Sequence, residues 1–202
     1  MSISNEFVYS EIYRGLKIGI LPDECPIYPR DIEYFTNLGH LVGFHSRYDL
    51  CDDDHKSMTI KQLQKIVNKK DVVAIPLYLY EHSGITISTT PFACPWDSGQ
   101  IGWIYITYPE IHKHFSRKRV SKKLLTLVEK ILRDEVQEYD NYLRGNIYGY
   151  YIIGPEGEED TLDSCYGFSG DYEHAEYGAL NEARRGVDEI VGKTEPLVTT
   201  TT

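Results

Sequence analysis

Apolar and polar residues alternate over two stretches near the start of the chain, Phe7 to Tyr13 and Leu16 to Leu21, on either side of Arg14 and Gly15. In the second, Leu16, Ile18 and Ile20 share one face and Lys17 and Gly19 the other, the period of a half-buried strand. Pro22, Pro26 and Pro29 then interrupt regular structure, so residues 22–31 are expected to form a loop. Leu41 to His45 reads as a short strand, followed by a polar loop from Ser46 to Ser57. Thr59 with Gln62 makes a capping box, and Ile60, Leu63, Ile66 and Val67 give a helical stripe to about Lys69. Val72 to Tyr80 is rich in β-forming residues and predicts a central strand despite Pro76. Ile85 to Thr89 and Ile101 to Thr107 continue the sheet.

Ser121 can cap the longest helix. Behind it Leu124, Leu125, Val128, Ile131, Leu132, Val136, Tyr139 and Leu143 recur at helical spacing, and Gly145 ends the run. Ile147 to Ile153 and Thr161 to Phe168 read as strands joined through Glu156 and Gly157, and a weaker helix is expected over Tyr172 to Ile190. Most strands follow one another through short turns. The expected fold is therefore α+β, a mainly antiparallel sheet packed by one long helix, about 121–144, and by shorter helices. No linker or repeat divides the pattern. A single domain over 1–193 and a flexible tail over 194–202 are expected.

Composition adds limits. With 202 residues, 41% of them apolar, the chain can bury a real core. Seventeen Tyr against six Phe and two Met suit half-buried sheet faces and contact surfaces, because each ring carries a hydroxyl that wants a partner. No apolar run approaches the roughly 20 residues of a membrane span. Met1 to Asn5 lacks the basic and apolar regions of an export signal, so a cytoplasmic location is expected. Cys25, Cys51, Cys94 and Cys165 lie far apart without a CxxC pair, which reads as four reduced thiols.

Charge is uneven. Residues 1–132 hold 16 Lys+Arg against 15 Asp+Glu, while residues 133–202 hold 5 against 16, a net of −11. Such a field repels nucleic acid and attracts basic protein surfaces. The expected partner is a protein with a basic or nucleic-acid-binding surface, met by Asp134, Glu135, Glu138, Glu156, Glu158, Glu159 and Asp160. Direct nucleic-acid binding and membrane association are not expected, and homo-oligomerisation stays open.

Three segments carry candidate chemistry. The densest runs from Glu81-His82-Ser83-Gly84 to Cys94-Pro95-Trp96-Asp97-Ser98-Gly99-Gln100. Cys94, His82 and Asp97 have the identities of a nucleophile, its base and the group that orients the base, although their order matches no protease signature. His45, Arg47 and Asp49 would share one face of a strand end. With Gln100 and Asp163 they are the side chains expected to line a polar pocket. Asp52 to Asp54 and His55 follow closely, but they lack the alternate spacing and the glycine of a calcium loop, so no metal or other cofactor is assigned. A polar network between Arg47 and Asp49 is the plainer expectation. The third segment, His112 to Arg119, is strongly basic with Phe115 inside it and reads as a solvated loop at a helix N-terminus or a phosphate contact.

Asn37-Leu38-Gly39 with Phe44-His45-Ser46-Arg47-Tyr48-Asp49-Leu50, Pro76-Leu77-Tyr78-Leu79-Tyr80 with His82-Ser83-Gly84, and Pro91-Phe92-Ala93-Cys94-Pro95-Trp96-Asp97-Ser98-Gly99-Gln100 form a set. Together with Asp163-Ser164-Cys165, this set resembles an uncharacterised family of small phage and mobile-element proteins. The likeness covers roughly residues 37–170 and departs at Cys51, where the pattern has glycine. It carries no catalytic role. What it implies is an accessory gene acting in the host cytoplasm, of the kind that encodes anti-CRISPR and anti-restriction inhibitors. The resulting expectation is a binding protein that inhibits a host nucleic-acid-handling or defence protein through an acidic surface. The alternative is a small hydrolase-like enzyme or ligand-binding protein using the His/Cys/Asp pocket.

Overall fold

The Leu16 strand pairs edge to edge with a strand from the C-terminal part of the chain. In the computed structural model, which describes residues 7–157 and 159–194, β1 (Tyr9–Tyr13) and β2 (Leu16–Pro22) pair through Tyr13 and Leu16. Arg14 and Gly15 both have positive φ, 49° and 87°, as a two-residue turn of the primed type requires. β2 then pairs with β7 (Ile147–Ile153), setting Ile18 opposite Ile152 and Ile20 opposite Tyr150. β8 (Thr161–Ser169) lies on the far side of β7, so the order is β1-β2-β7-β8 with every pair antiparallel.

The apolar face of this sheet is covered by α4 (Ala179–Thr194), whose Leu180, Ala183 and Val187 pack with Ile18, Ile20, Tyr150 and Ile152. Arg184 of α4 grips Glu11 of β1 through two bonds of 2.8 Å, a bidentate pair that fixes the helix on the sheet. The helix begins at Ala179 rather than at Tyr172. The Asp171 carboxylate accepts the backbone N–H groups of Glu173 and His174, and this local bonding competes with helix.

Residues 28–144 build a second sheet in the order β3-β6-β4-β5, again antiparallel: β3 (His40–Gly43), β6 (Ser98–Thr107), β4 (Val72–Glu81) and β5 (Ile85–Ser88). Strand alternation sends Leu41, Val73, Ile75, Leu77, Ile104 and Ile106 to one face and Val42 and Tyr105 to the other. The first face is covered by α3 (Lys122–Leu143) through Val128, Leu132, Val136 and Tyr139. The second takes Leu63 of α1 (Ile60–Val67), whose Thr59/Gln62 capping box is formed. Pro76 lies where β4 pairs with β6 but not yet with β5, which joins from Tyr78 onward, so its missing N–H need not break the sheet.

Contacts therefore gather into two compact units, 1–27 with 145–202 and 28–144. The expected undivided α+β domain has two antiparallel sheets, and the chain passes between the units within the proline-interrupted loop at Ile27/Tyr28 and at Gly145 after the long helix. The long helix packs on the sheet of its own unit. Of the expected tail over 194–202, Thr194 ends α4, and residues 195–202, like Glu158, lie outside the described residues. No helix among the described residues is long and apolar enough to cross a membrane.

The first half of the basic run differs from its sequence reading, while Arg117 to Arg119 lie exposed in the loop before α3 as expected. Thr107 and Glu110 form a second capping box at the start of α2 (Tyr108–Phe115), with Pro109 in the first turn. His112, Lys113 and His114 thus sit in the last turn of a helix, where cations suit the dipole.

Arg30 holds the segment before β3 in place. Its side chain is 2% exposed. The guanidinium bonds both Asp52 oxygens (2.9 and 2.7 Å), Glu135 Oε2 (2.9 Å) and the Gly39 carbonyl (2.6 Å). Glu135 in turn accepts the backbone N–H of Leu38 at 2.5 Å, and Asp52 that of Leu41 at 2.8 Å. Burial opposes the charge on Arg30, yet the two carboxylates outweigh it and raise its pKa further.

Candidate functional site

The polar motifs of residues 28–144 meet at the end of the second sheet. Glu81 is the last residue of β4 and falls in phase with the buried Leu77 and Leu79. A carboxylate at an inward position needs partners, and it has them. Tyr48 Oη donates to Oε1 at 2.8 Å, Arg47 Nη2 to Oε2 at 2.5 Å, and His45 Nε2 lies 3.9 Å from Oε2. His45 stacks on Tyr48 with centroids 5.0 Å apart, and the Arg47 guanidinium stands 5.9 Å from the same ring. The bond to Glu81, then burial and the carboxylate charge, raise the pKa of Tyr48 and keep it a donor.

β3 stops at Gly43, so His45, Arg47 and Asp49 belong to a loop rather than to one face of a strand. The expected Arg47–Asp49 network is not formed. Arg47 turns to Glu81, and Asp49 pairs with Lys56 at 3.0 Å.

On the other side of Glu81, its backbone N–H bonds the Asp97 carbonyl at 2.8 Å, which ties the loop before β6 to the end of β4. A cleft of about 610 Å³ opens between them, lined by His45, Arg47, Glu81, His82, Asp97 and Ser98, with Trp96 on its wall. A second hollow of about 690 Å³ shares His45 and Arg47 and extends to Asp49 and His55. Trp96 is 91% exposed. It is an open aromatic surface, not the buried anchor of a tight turn.

The three catalytic candidates do come together, but not in the order of a triad. Cys94 Sγ donates to Asp97 Oδ2 at 3.6 Å, and His82 Nδ1 lies 3.9 Å from that same oxygen. Asp97 is therefore the neighbour of both, so the thiol faces a carboxylate instead of the imidazole that nucleophile activation needs. His82 also stacks on Tyr80 at 6.1 Å. Ser98 donates to the Cys94 carbonyl and shapes the turn.

The remaining pocket candidates have structural roles. Gln100 Nε2 bonds the Gly102 carbonyl at 3.3 Å. Asp163 belongs to the other unit, where it accepts from Tyr150 Oη at 3.1 Å and from the Ser164 N–H at 2.9 Å. Burial first, then the Asp163 charge, push the Tyr150 pKa above its usual range.

The acidic candidates divide as well. Asp134, Glu135 and Glu138 lie on α3, in the unit of residues 28–144. Asp134 pairs with Lys130. Glu135 is a correction: it points inward to Arg30 and two backbone amides, so it presents no charge to a partner. Glu156 and Glu159 are exposed in the other unit, and Asp160 folds over Gly154 to close their turn. Glu158 lies outside the described residues.

Glu81, named in the sequence only as the start of a polar segment, is the side chain on which these contacts converge. Its signal was the alternation of β4, which places an acid in the apolar phase.

All four cysteines are free. Thiol labelling of unfolded, unreduced protein is expected to count four. In the native protein Cys51 should react last, because burial pushes its thiol up to about 11 and the thiolate is the reactive form. A count below four, or a native Cys51 as fast as Cys25, contradicts this.

Comparison with protein-family models, with curated proteins and with solved structures returns no match.

Proposed function

We propose that the chain is a binding protein of phage-accessory type, whose acidic unit occupies a basic surface of a host nucleic-acid-handling or defence protein and inhibits it. The observation that carries this reading is the coincidence of charge with architecture. Residues 1–27 and 145–202 hold 5 Lys+Arg against 16 Asp+Glu, a net of −11, while residues 28–144 hold 16 against 15. Within the acidic unit Arg14 pairs with Asp188, Arg184 with Glu11 and Arg185 with Glu182. Three of the five positive charges are thus paired internally, while Glu156, Glu159, Glu173 and Glu176 face solvent. Tyr166 and Tyr177 are exposed on the same unit and supply the aromatic area that protein interfaces favour. Carboxylates so placed steer a basic partner and discourage an acidic one.

A second reading has its own observation. His45, Arg47, Glu81, His82 and Asp97, distant in sequence, line one cleft beside the exposed Trp96. Convergent polar groups around a concave site are what a small-ligand or enzyme site needs. The misordered Cys94–Asp97–His82 set is what places this reading second.

The two separate cleanly by experiment. A chain carrying Glu156→Lys, Glu159→Lys, Glu173→Lys and Glu176→Lys is expected to lose the partner that the native chain captures from host lysate, at an unchanged unfolding midpoint. His82→Ala and Asp97→Ala should capture it as before. Full capture by the reversed chain, with loss in His82→Ala or Asp97→Ala, transfers the function to the cleft.

A further inference from the structure

We propose that His40, His55 and Asp54 form a binding site for a zinc-class divalent cation, on the face of the second sheet opposite α3. A nitrogen of each imidazole and a carboxylate oxygen of Asp54 lie within 4.8 Å of one another. The proposal depends on neither reading above, although His55 also lines the hollow beside the cleft.

Two features make it a prepared site. The first is the outer shell. His40 Nε2 is held by Glu110 Oε1 at 2.8 Å, and His55 Nε2 by Tyr105 Oη at 3.0 Å. Each ring therefore has Nε2 anchored by a neighbour, and Nδ1 is the nitrogen assigned to the ion, that of His55 already lying against the Asp54 carboxylate. That second partner fixes ring orientation and tautomer in protein metal sites. Glu110 is itself fixed, since its other oxygen closes the Thr107 capping box. The two ring centroids lie 4.7 Å apart with the planes tilted by 36°, and His40 is opposite Tyr105 across the β3–β6 pair.

The second feature is the rigidity of what carries the ligands. His40 starts β3, and Asp54 and His55 lie in the short 3-10 turn Asp53–His55. These two elements are tied together at their roots. The Leu41 N–H donates to the Asp52 carboxylate at 2.8 Å, the Asp52 N–H to the Leu41 carbonyl at 2.9 Å, and Arg30 clamps Asp52 from behind. Ligands on such a base can reach working geometry by side-chain rotation alone.

The donor set selects the ion. Two imidazoles and one carboxylate suit zinc, whose bonds to them are about 2.0–2.2 Å. All-oxygen shells suit magnesium or calcium, and thiolates suit copper(I). Three protein ligands leave a fourth position, on the solvent side where Asp54 is 71% exposed. Without the ion, the contact between His55 Nδ1 and the Asp54 carboxylate holds the two ligands side by side.

The test is calorimetric titration of the chelator-treated full chain with zinc chloride. The expected result is one ion per chain, lost in His40→Ala and in Asp54→Asn, whose exposed side chain can change without harm to the core. Tyr105→Phe removes only the hydroxyl that holds His55 and should weaken binding by about 10–100-fold. Cobalt(II) in place of zinc should give visible d–d bands without a thiolate charge-transfer band. Equal zinc binding by the native, His40→Ala and Asp54→Asn chains, a thiolate band, or no zinc uptake at all overturns the proposal.

Discussion

Arg30→Met is expected to cost about 3–5 kcal/mol of stability, because it removes a buried guanidinium and strips the partner from two partly buried carboxylates. Asp52 and Glu135 would keep their charges in a place where water reaches neither side chain freely. Methionine fills much of the volume, so the loss reports unpaired charge and not a cavity. Arg30→Lys should fall between. One ammonium cannot reproduce the fork to Asp52 while also reaching Glu135 and the Gly39 carbonyl. Urea denaturation measures both variants. A change under about 1 kcal/mol for Arg30→Met would mean that the carboxylates find water or each other's protons, contrary to the network described.

Leu132→Ala should cost about 2–5 kcal/mol. Leu132 is fully buried at the centre of α3, between the sheet and the segment before β3. Gly39 packs so closely that a methyl group built on it would stand 2.4 Å from Leu132 Cδ2 and 2.8 Å from Ile104 Cγ1. The hole left by truncation cannot be filled by inward movement of Gly39, because Glu135, one turn along the same helix, holds the Leu38 and Gly39 amides. The loss therefore belongs near the upper part of the range. The effects of Leu132→Ala and Arg30→Met should not add, since both act on that one segment. A cost below about 0.5 kcal/mol in the same denaturation experiment would show that the face of α3 carrying Leu132 is not core.

Local periodicity carried much of the fold. The stripe on α3, the alternation of β4 and the Thr59/Gln62 box each depend on neighbours a few residues away, and each appears in the structure. Pairing across the chain is another matter. Nothing in Ile18 or Ile20 names Ile152 and Tyr150 as partners, because strand pairing is decided by which burial is best for the whole chain. The division into two units was hidden for the same reason. The chain crosses between them at Ile27/Tyr28, within the run of Pro22, Pro26 and Pro29, and at Arg144/Gly145, and both signals read equally well as a loop and a helix stop inside one domain.

The candidate site shows a similar split. The His45–Arg47 and His82–Asp97 segments were visible as polar motifs, and they do meet at one cleft. The hub that joins them, Glu81, required the strand phase to be carried one residue past the apolar run. The α2 helix was missed although Pro109 and the Thr107/Glu110 spacing announce it, because the basic residues after them drew the reading toward a loop. Glu135 failed for a reason no charge count can reveal. An acid on a helix is counted as surface until its buried arginine is found.

The central claim is that an acidic unit meets a basic partner, and its most direct measurement is the salt dependence of that affinity. With the captured partner purified, dissociation constants are measured from low salt through physiological ionic strength, where screening acts over about 8 Å. The account predicts affinity that falls steeply as salt rises for the native chain. It predicts a weak and nearly flat dependence for the chain with Glu156, Glu159, Glu173 and Glu176 reversed to lysine. An affinity indifferent to salt, or one kept in full by the reversed chain, would contradict it.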